Sequence, residues 1–256
     1  METFFAEPLL HLSLMAIALI AGFVDSIAGG GGLITMPSLL SAGIPPHIVL
    51  GTNKLISASG TLIAALTYIR RRLFEPKLWI ACALATLIGS CIGAILAKYL
   101  DASMIKKGVP IIIIGIAIYM LIPKKQAAHK INNLIPSKTK QVCSGLSLGL
   151  YDGLIGPGTG SFWTLLANSL FKQDLVRASG IARFMNLMSN ISALATFFYL
   201  GMVDWRLGIM MGIANMLGAY IGAKSAIKYG AEFIRPLFIF FVVLIAGRLI
   251  YIEYLI

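Results

Sequence analysis

The sequence predicts an all-α polytopic membrane protein of about eight transmembrane helices plus two half-helices, arranged as two inverted-topology repeats about a pseudo-two-fold axis. Three observations carry this. The chain is 58% hydrophobic and only 12% charged, with a mean hydropathy of +0.88, which lies outside the range of soluble domains. Most apolar segments are near the ~20 residues that a helix needs to cross a bilayer, and none shows the strict alternation of barrel strands. Two segments are too short to cross, and each follows a glycine-rich break, "AGGGG" or "GPGTG".

In chain order the first apolar segment is 9–28. It follows Glu2 and Glu7 and lacks a basic leader, so it reads as a retained span and not a cleaved signal. Asp25 and the glycines Gly29, Gly30, Gly31 and Gly32 interrupt its end, and the short segment 33–43 follows. Spans at 48–69, 78–98 and 104–122 complete a first repeat, 1–122. Residues 123–141 form a polar linker with five lysines, and 142–256 is the second repeat. That repeat holds segments at 142–156, 160–171 (after the second break), 178–200, 206–224 and 234–254.

The formal charge of +11 sits mainly in short loops. There it orients membrane helices and does not indicate a nucleic-acid partner; loops 70–77 and 123–141 are expected in the cytoplasm and the lipid bilayer is the implied surroundings. Cys82, Cys91 and Cys143 read as small core residues, and the three histidines show no ligand spacing, so no metal site is expected. Trp79, Trp163 and Trp205 fall near expected helix ends and read as interfacial anchors.

The two repeats can be superposed. A shift of 129 places Lys54 on Arg183, Glu75 on Asp204, Lys77 on Arg206, and "GSCIGA" on "GAYIGA". A shift of 127 places Gly22, Asp25, Gly29 and Gly31 on Gly149, Asp152, Gly156 and Gly158. A duplicated membrane fold with a broken helix in each half points to a transporter whose site lies between the repeats.

Glycine lets the chain turn sharply and lets backbone N–H groups approach a ligand. A helix that starts after such a turn presents unpaired donors and the positive end of its dipole. Two such starts facing each other would bind an anion. Gly29 to Gly32 in one half, and Gly156, Gly158, Thr159, Gly160 and Ser161 in the other, are therefore candidate substrate-binding residues. Lys54 and Arg183, with Asn53 and Asn186, join them, and Ser57 and Asn190 add neutral donors nearby. Asp25 and Asp152 have two readings. Each forms a fixed ion pair with the cation of its own repeat, or one of them carries a coupling proton. The Gly89-x-x-x-Gly93 and Gly218-x-x-x-Gly222 pairs read as close helix packing, with Gly93 and Gly222 suiting an intramolecular contact or a homodimer face equally well.

"GFVDSIAGGGGLITMPSLLSAGIPPHIVLGTNKL", its echo "GLYDGLIGPGTGSFW" and the later "ARFMNLMSN" resemble the sulfite exporter TauE/SafE family, and within it a bacterial YfcA-like branch. The resemblance runs end to end. It implies a multi-pass permease of the bacterial inner membrane without a cofactor, exporting or importing sulfur-containing anions such as sulfite and organosulfonates. It also carries Thr52 into the first-repeat motif. Arg183 stands where related sequences often have Lys, and its planar fork suits bidentate oxyanion contact. Pro157 interrupts the second glycine run and makes the two breaks unequal in shape. The expected function is a secondary anion transporter with alternating access, not an enzyme. The alternatives are an anion channel and an intramembrane aspartyl hydrolase built on Asp25 and Asp152. The hydrolase would need a shared-proton dyad, and the chain lacks the Gly-x-Gly-Asp motif of such enzymes.

Overall fold

In the computed structural model, residues 8–101 and 137–254 are described, and among them all regular structure is helical. The expected span 104–122 and linker residues 123–136 lie outside the described residues. The helices are α1 (Pro8–Ala28), α2 (Gly31–Ser41), α3 (Pro46–Arg70), a 3-10 turn (Pro76–Trp79) leading into α4 (Ile80–Ala97), α5 (Lys138–Leu154), α6 (Thr159–Ser169), α7 (Leu175–Tyr199) and α8 (Trp205–Tyr254). Gly230, at φ 69° and ψ −157°, interrupts α8 between the two segments read from the sequence. The stretches 8–28, 46–70, 76–97 and 205–230 are long and apolar enough to cross a membrane. At 25 residues α7 has the length, but Ser179, Arg183, Asn186, Ser189 and Asn190 are buried along it and lower its hydropathy.

Local chemistry explains most boundaries. Pro46 opens α3 at the first helical position, where a missing N–H costs nothing. Ser137 caps α5 by accepting from the Lys140 N–H. Asp174 caps α7 by accepting from the Val176 and Arg177 N–H groups at 3.1 and 3.0 Å. Asp204 accepts from the Leu207 N–H in the first turn of α8, and its own N–H donates to Thr52 Oγ1, so Thr52 anchors this loop.

Both halves share one element order: a long helix, a break, an 11-residue helix, a 25-residue helix and a further span. Their packing is reciprocal. The most extensive contacts join α4 to α5 and α1 to α8, each a helix of one half against a helix of the other. The glycine pairs lie in these seams. A Cβ at Gly89 or Gly93 would overlap the carbonyls of Leu146 or Leu150, and one at Gly218 or Gly222 would overlap those of Leu19 or Phe23. Gly93 and Gly222 thus serve packing within the chain.

Large apolar side chains face outward as well as inward, unlike those of a soluble protein. Ile80, Leu84, Ile88 and Ile92 form an exposed stripe on α4, and Ile209, Ile213, Leu217 and Ile221 form its counterpart on α8. Stripes of this size on an aqueous surface would be a liability, whereas lipid solvates them. The buried interior holds both members of two ion pairs.

Three sequence expectations about single residues change. Trp163 is fully buried and Trp79 nearly so, the latter edge-on to Phe171 at 5.1 Å, while Trp205 is exposed. The half-helix α6 lies inside the bundle and carries Trp163 with it, whereas Trp79 is the one buried residue of its 3-10 turn and folds inward from the surface. Cys82 is buried, but Cys143 is exposed and not a core residue.

Candidate functional site

The first break is short: two residues, 29–30, separate α1 from α2. Gly29 turns the chain at φ 89°, a left-handed conformation that few residues other than glycine adopt. A short turn brings the end of α1 beside the start of α2. Asp25 Oδ1 accepts from the Gly31 N–H at 2.9 Å, capping the half-helix it precedes. Its Oδ2 lies 3.7 Å from Arg183 Nη1.

Arg183 is 0% exposed and distributes its guanidinium over both breaks. Nη1 donates to the Asp25 carbonyl, Nη2 donates to the Gly160 carbonyl at 3.1 Å and to Thr164 Oγ1 at 3.2 Å, and Nε reaches the Ser179 carbonyl at 3.4 Å. Ser161 Oγ donates to the Ala28 carbonyl at 2.7 Å. A Cβ at Gly29 would overlap the Gly160 backbone. The start of α6 is therefore fastened directly onto the first break.

The second break is longer, four residues, 155–158, with Gly156 and Gly158 at φ 96° and 80° around Pro157. Tyr151 Oη donates to the Pro157 carbonyl and Thr159 Oγ1 to the Gly156 carbonyl, which holds the turn. The extra length leaves Asp152 without a capping role. Its Oδ1 pairs with Lys54 Nζ at 2.8 Å, both side chains being almost fully buried, while its Oδ2 is buried with no partner. Lys54 Nζ also donates to Asn190 Oδ1 at 3.4 Å, and Asn190 Nδ2 is likewise buried without a partner. The ammonium sits directly over Gly156, where a Cβ would stand 2.9 Å from Nζ.

The ion pairs therefore run between halves. Pairing within each repeat, Asp25 with Lys54 and Asp152 with Arg183, is corrected to Asp25 with Arg183 and Asp152 with Lys54. Tertiary packing of α3 and α7 against the opposite break decides this, and sequence proximity does not.

Where the breaks meet lies a polar cavity with room for about one water molecule. Asp25, Gly29 and Gly32 of the first break border it, as do Gly156, Gly158, Thr159 and Gly160 of the second, with Asp152 above them. Asn53, Lys54 and Ser57 reach it from α3, and Asn186 and Asn190 from α7. Gly30, Gly31, Ser161 and Arg183 are close by but do not border it. Asn53 Oδ1 is held by the Thr35 hydroxyl.

Two supporting residues escaped the sequence reading, Thr35 and Thr164. The shift of 129 that aligns Lys54 with Arg183 also aligns these two threonines, and each bonds the polar residue of the following long helix. Tyr68, whose hydroxyl donates to the Ser26 carbonyl at the end of α1, carried no comparable signal.

A sequence model of the family described as sulfite exporter TauE/SafE matches residues 14–249. Among curated proteins, the chain is 39% identical to the Sinorhizobium protein named probable membrane transporter protein ORF9, over 93% of this chain and 91% of that protein. It is 36% identical to probable membrane transporter protein YfcA of Escherichia coli K12, over 98% and 95% of the two chains. A protein from Haemophilus influenzae, named probable membrane transporter protein, is 34% identical over 93% of each. No solved structure matches the chain.

Proposed function

The chain belongs to the sulfite exporter TauE/SafE family, and from that premise we propose that it is a secondary transporter of small anions, sulfur-containing oxyanions or organosulfonates such as sulfite. The observation that carries the proposal is the Lys54 ammonium, buried at the meeting point of two helix breaks and bordering the polar cavity between them. A buried cation costs about 2.5–3.5 kcal/mol even on the mildest membrane scale, so a position facing a cavity argues for a ligand-directed role. Helix starts from both halves converge on the same cavity, a geometry that attracts anions.

Alternating access of two inverted repeats is the mechanism we propose. The reciprocal seams of α1 with α8 and α4 with α5 support an exchange of halves about a two-fold axis. Inversion is supported by charge, since loop 70–77 is far more basic than its counterpart around Asp204. Loops 70–77 and 123–141 then face the cytoplasm, in the inner membrane of a bacterium. A water-sized cavity is too small for an oxyanion of four non-hydrogen atoms, so loading requires the breaks to separate. That requirement favours a transporter over a standing pore.

The test is uptake of radiolabelled sulfite and thiosulfate by proteoliposomes carrying the wild type or Lys54→Ala. The expected result is saturable uptake that falls by about tenfold to a hundredfold in the variant, the effect of removing one charge-assisted contact. No saturable uptake of any sulfur anion, or equal uptake by a folded variant, would refute the reading.

A further inference from the structure

The two cross-half ion pairs are chemically unequal. In the first, Asp25 has both oxygens engaged, one on the Gly31 N–H and one facing Arg183. Arg183 cannot lose its proton and is bound to three backbone carbonyls and a hydroxyl. Separating that pair would dismantle both turns. In the second pair, Lys54 is a point charge with three donors, two of them directed to Asp152 and Asn190. Asp152 Oδ2 and Asn190 Nδ2 are unpartnered, and their residues are 1% and 2% exposed and border the cavity.

An acceptor and a donor buried without partners each carry a desolvation cost, which a ligand or a proton would relieve. The surroundings define what arrives. From α3 comes Lys54, and from α1 comes Asp25, which borders the same cavity. Arg183 on α7 is held on Asp25. On α5 itself, Tyr151 is tied to the Pro157 carbonyl. From α4 the contact at Gly153 is backbone of Ser90, and Cys91 is turned to Thr196 of α7. The four charges sum to zero, so an anion added at Lys54 leaves one uncompensated negative charge in a medium that does not tolerate it.

We propose that Asp152, and not Asp25, is the proton-binding carboxylate that controls anion access to Lys54, so that one proton accompanies each anion bound. This rests on the anion-transport reading above. Hydronium gives its proton to Asp152 Oδ2 and leaves as water. The neutral carboxyl then releases Lys54 to the oxyanion. The Oδ2–H, the Asn190 amide and the Lys54 ammonium become three donors around one ligand. Loss of the proton on the far side restores the Lys54 pair and expels the anion. Asp25 and Arg183 stay joined throughout as the clamp between the breaks.

Two measurements on the purified full chain test this. In infrared difference spectra between acid and neutral pH, the wild type and Asp25→Asn should show one carboxylic-acid band that Asp152→Asn lacks and Asp152→Glu moves. The second measurement adds thiosulfate, sulfate or ethanesulfonate, which stay ionised at neutral pH, to weakly buffered protein. The wild type should take up about one proton per bound anion, and Asp152→Asn should bind without uptake. A band lost in Asp25→Asn, a band persisting in Asp152→Asn, or wild-type binding without proton uptake would overturn the proposal. Failure of all three anions to bind while the band follows Asp152 would support the switch and count against the sulfur-anion reading alone.

Discussion

At the scale of single residues, the same charge pattern serves two purposes because Lys and Arg differ. The guanidinium of Arg183 reaches the Asp25 carbonyl near the end of α1 and the Gly160 carbonyl at the start of α6 together, whereas the compact ammonium of Lys54 fits over Gly156 and retains a side toward the cavity. Replacing Arg183 by Lys keeps the charge but loses the fork. We expect a stability loss of about 2–4 kcal/mol, read as a lower melting temperature in detergent, since charge-assisted bonds contribute about 1.5–3 kcal/mol each. An unchanged melting temperature would show that the clamp is dispensable. Lys54→Ala strands a buried carboxylate and should cost about 3–5 kcal/mol. Adding Asp152→Ala should restore most of that stability without restoring transport, a separation visible by running melting and uptake on the same preparations.

At the scale of elements, the difference between the halves comes from turn length. Two residues between α1 and α2 place Asp25 on the Gly31 N–H; four between α5 and α6 leave Asp152 to Lys54. Gly156→Ala adds left-handed strain of about 1–2 kcal/mol and places a methyl 2.9 Å from Lys54 Nζ. Gly201→Ala has the same kind of positive φ with nothing within 4 Å. Transport should fall sharply in the first and stay near wild type in the second; equal behaviour would remove Gly156 from the site. Gly93→Ala, against the Leu150 carbonyl, should loosen the α4 and α5 seam by about 1–3 kcal/mol in thermal unfolding. Much of this was legible beforehand. The glycine runs mark the breaks, the short apolar runs mark α2 and α6 to within two residues, and the spaced glycines mark the seams. The partners of Asp25 and Asp152 were not legible, because sequence spacing places each acid nearest the cation of its own half. Only the packing of α3 and α7 on the opposite breaks exchanges them. Trp163 misled for a related reason: a position near a segment end signals an interface only when the segment reaches one.

At the scale of the whole molecule, lipid-facing stripes surround an interior that holds two acids, two cations and a ring of amides. Stability and function compete there, since every buried charge is held by the opposite half and any loading movement must part some of those contacts. The clamp and the switch divide that burden between two pairs that occupy equivalent places. A standing pore would need no such division. Counterflow separates the two cases most directly. Proteoliposomes are loaded with unlabelled thiosulfate or sulfite, diluted into a trace of the labelled anion, and followed over time. A transporter with a site that faces one side at a time predicts transient accumulation of label above its equilibrium level, absent in Lys54→Ala. Label that only relaxes monotonically to equilibrium, or that enters at the same rate as chloride, would contradict it.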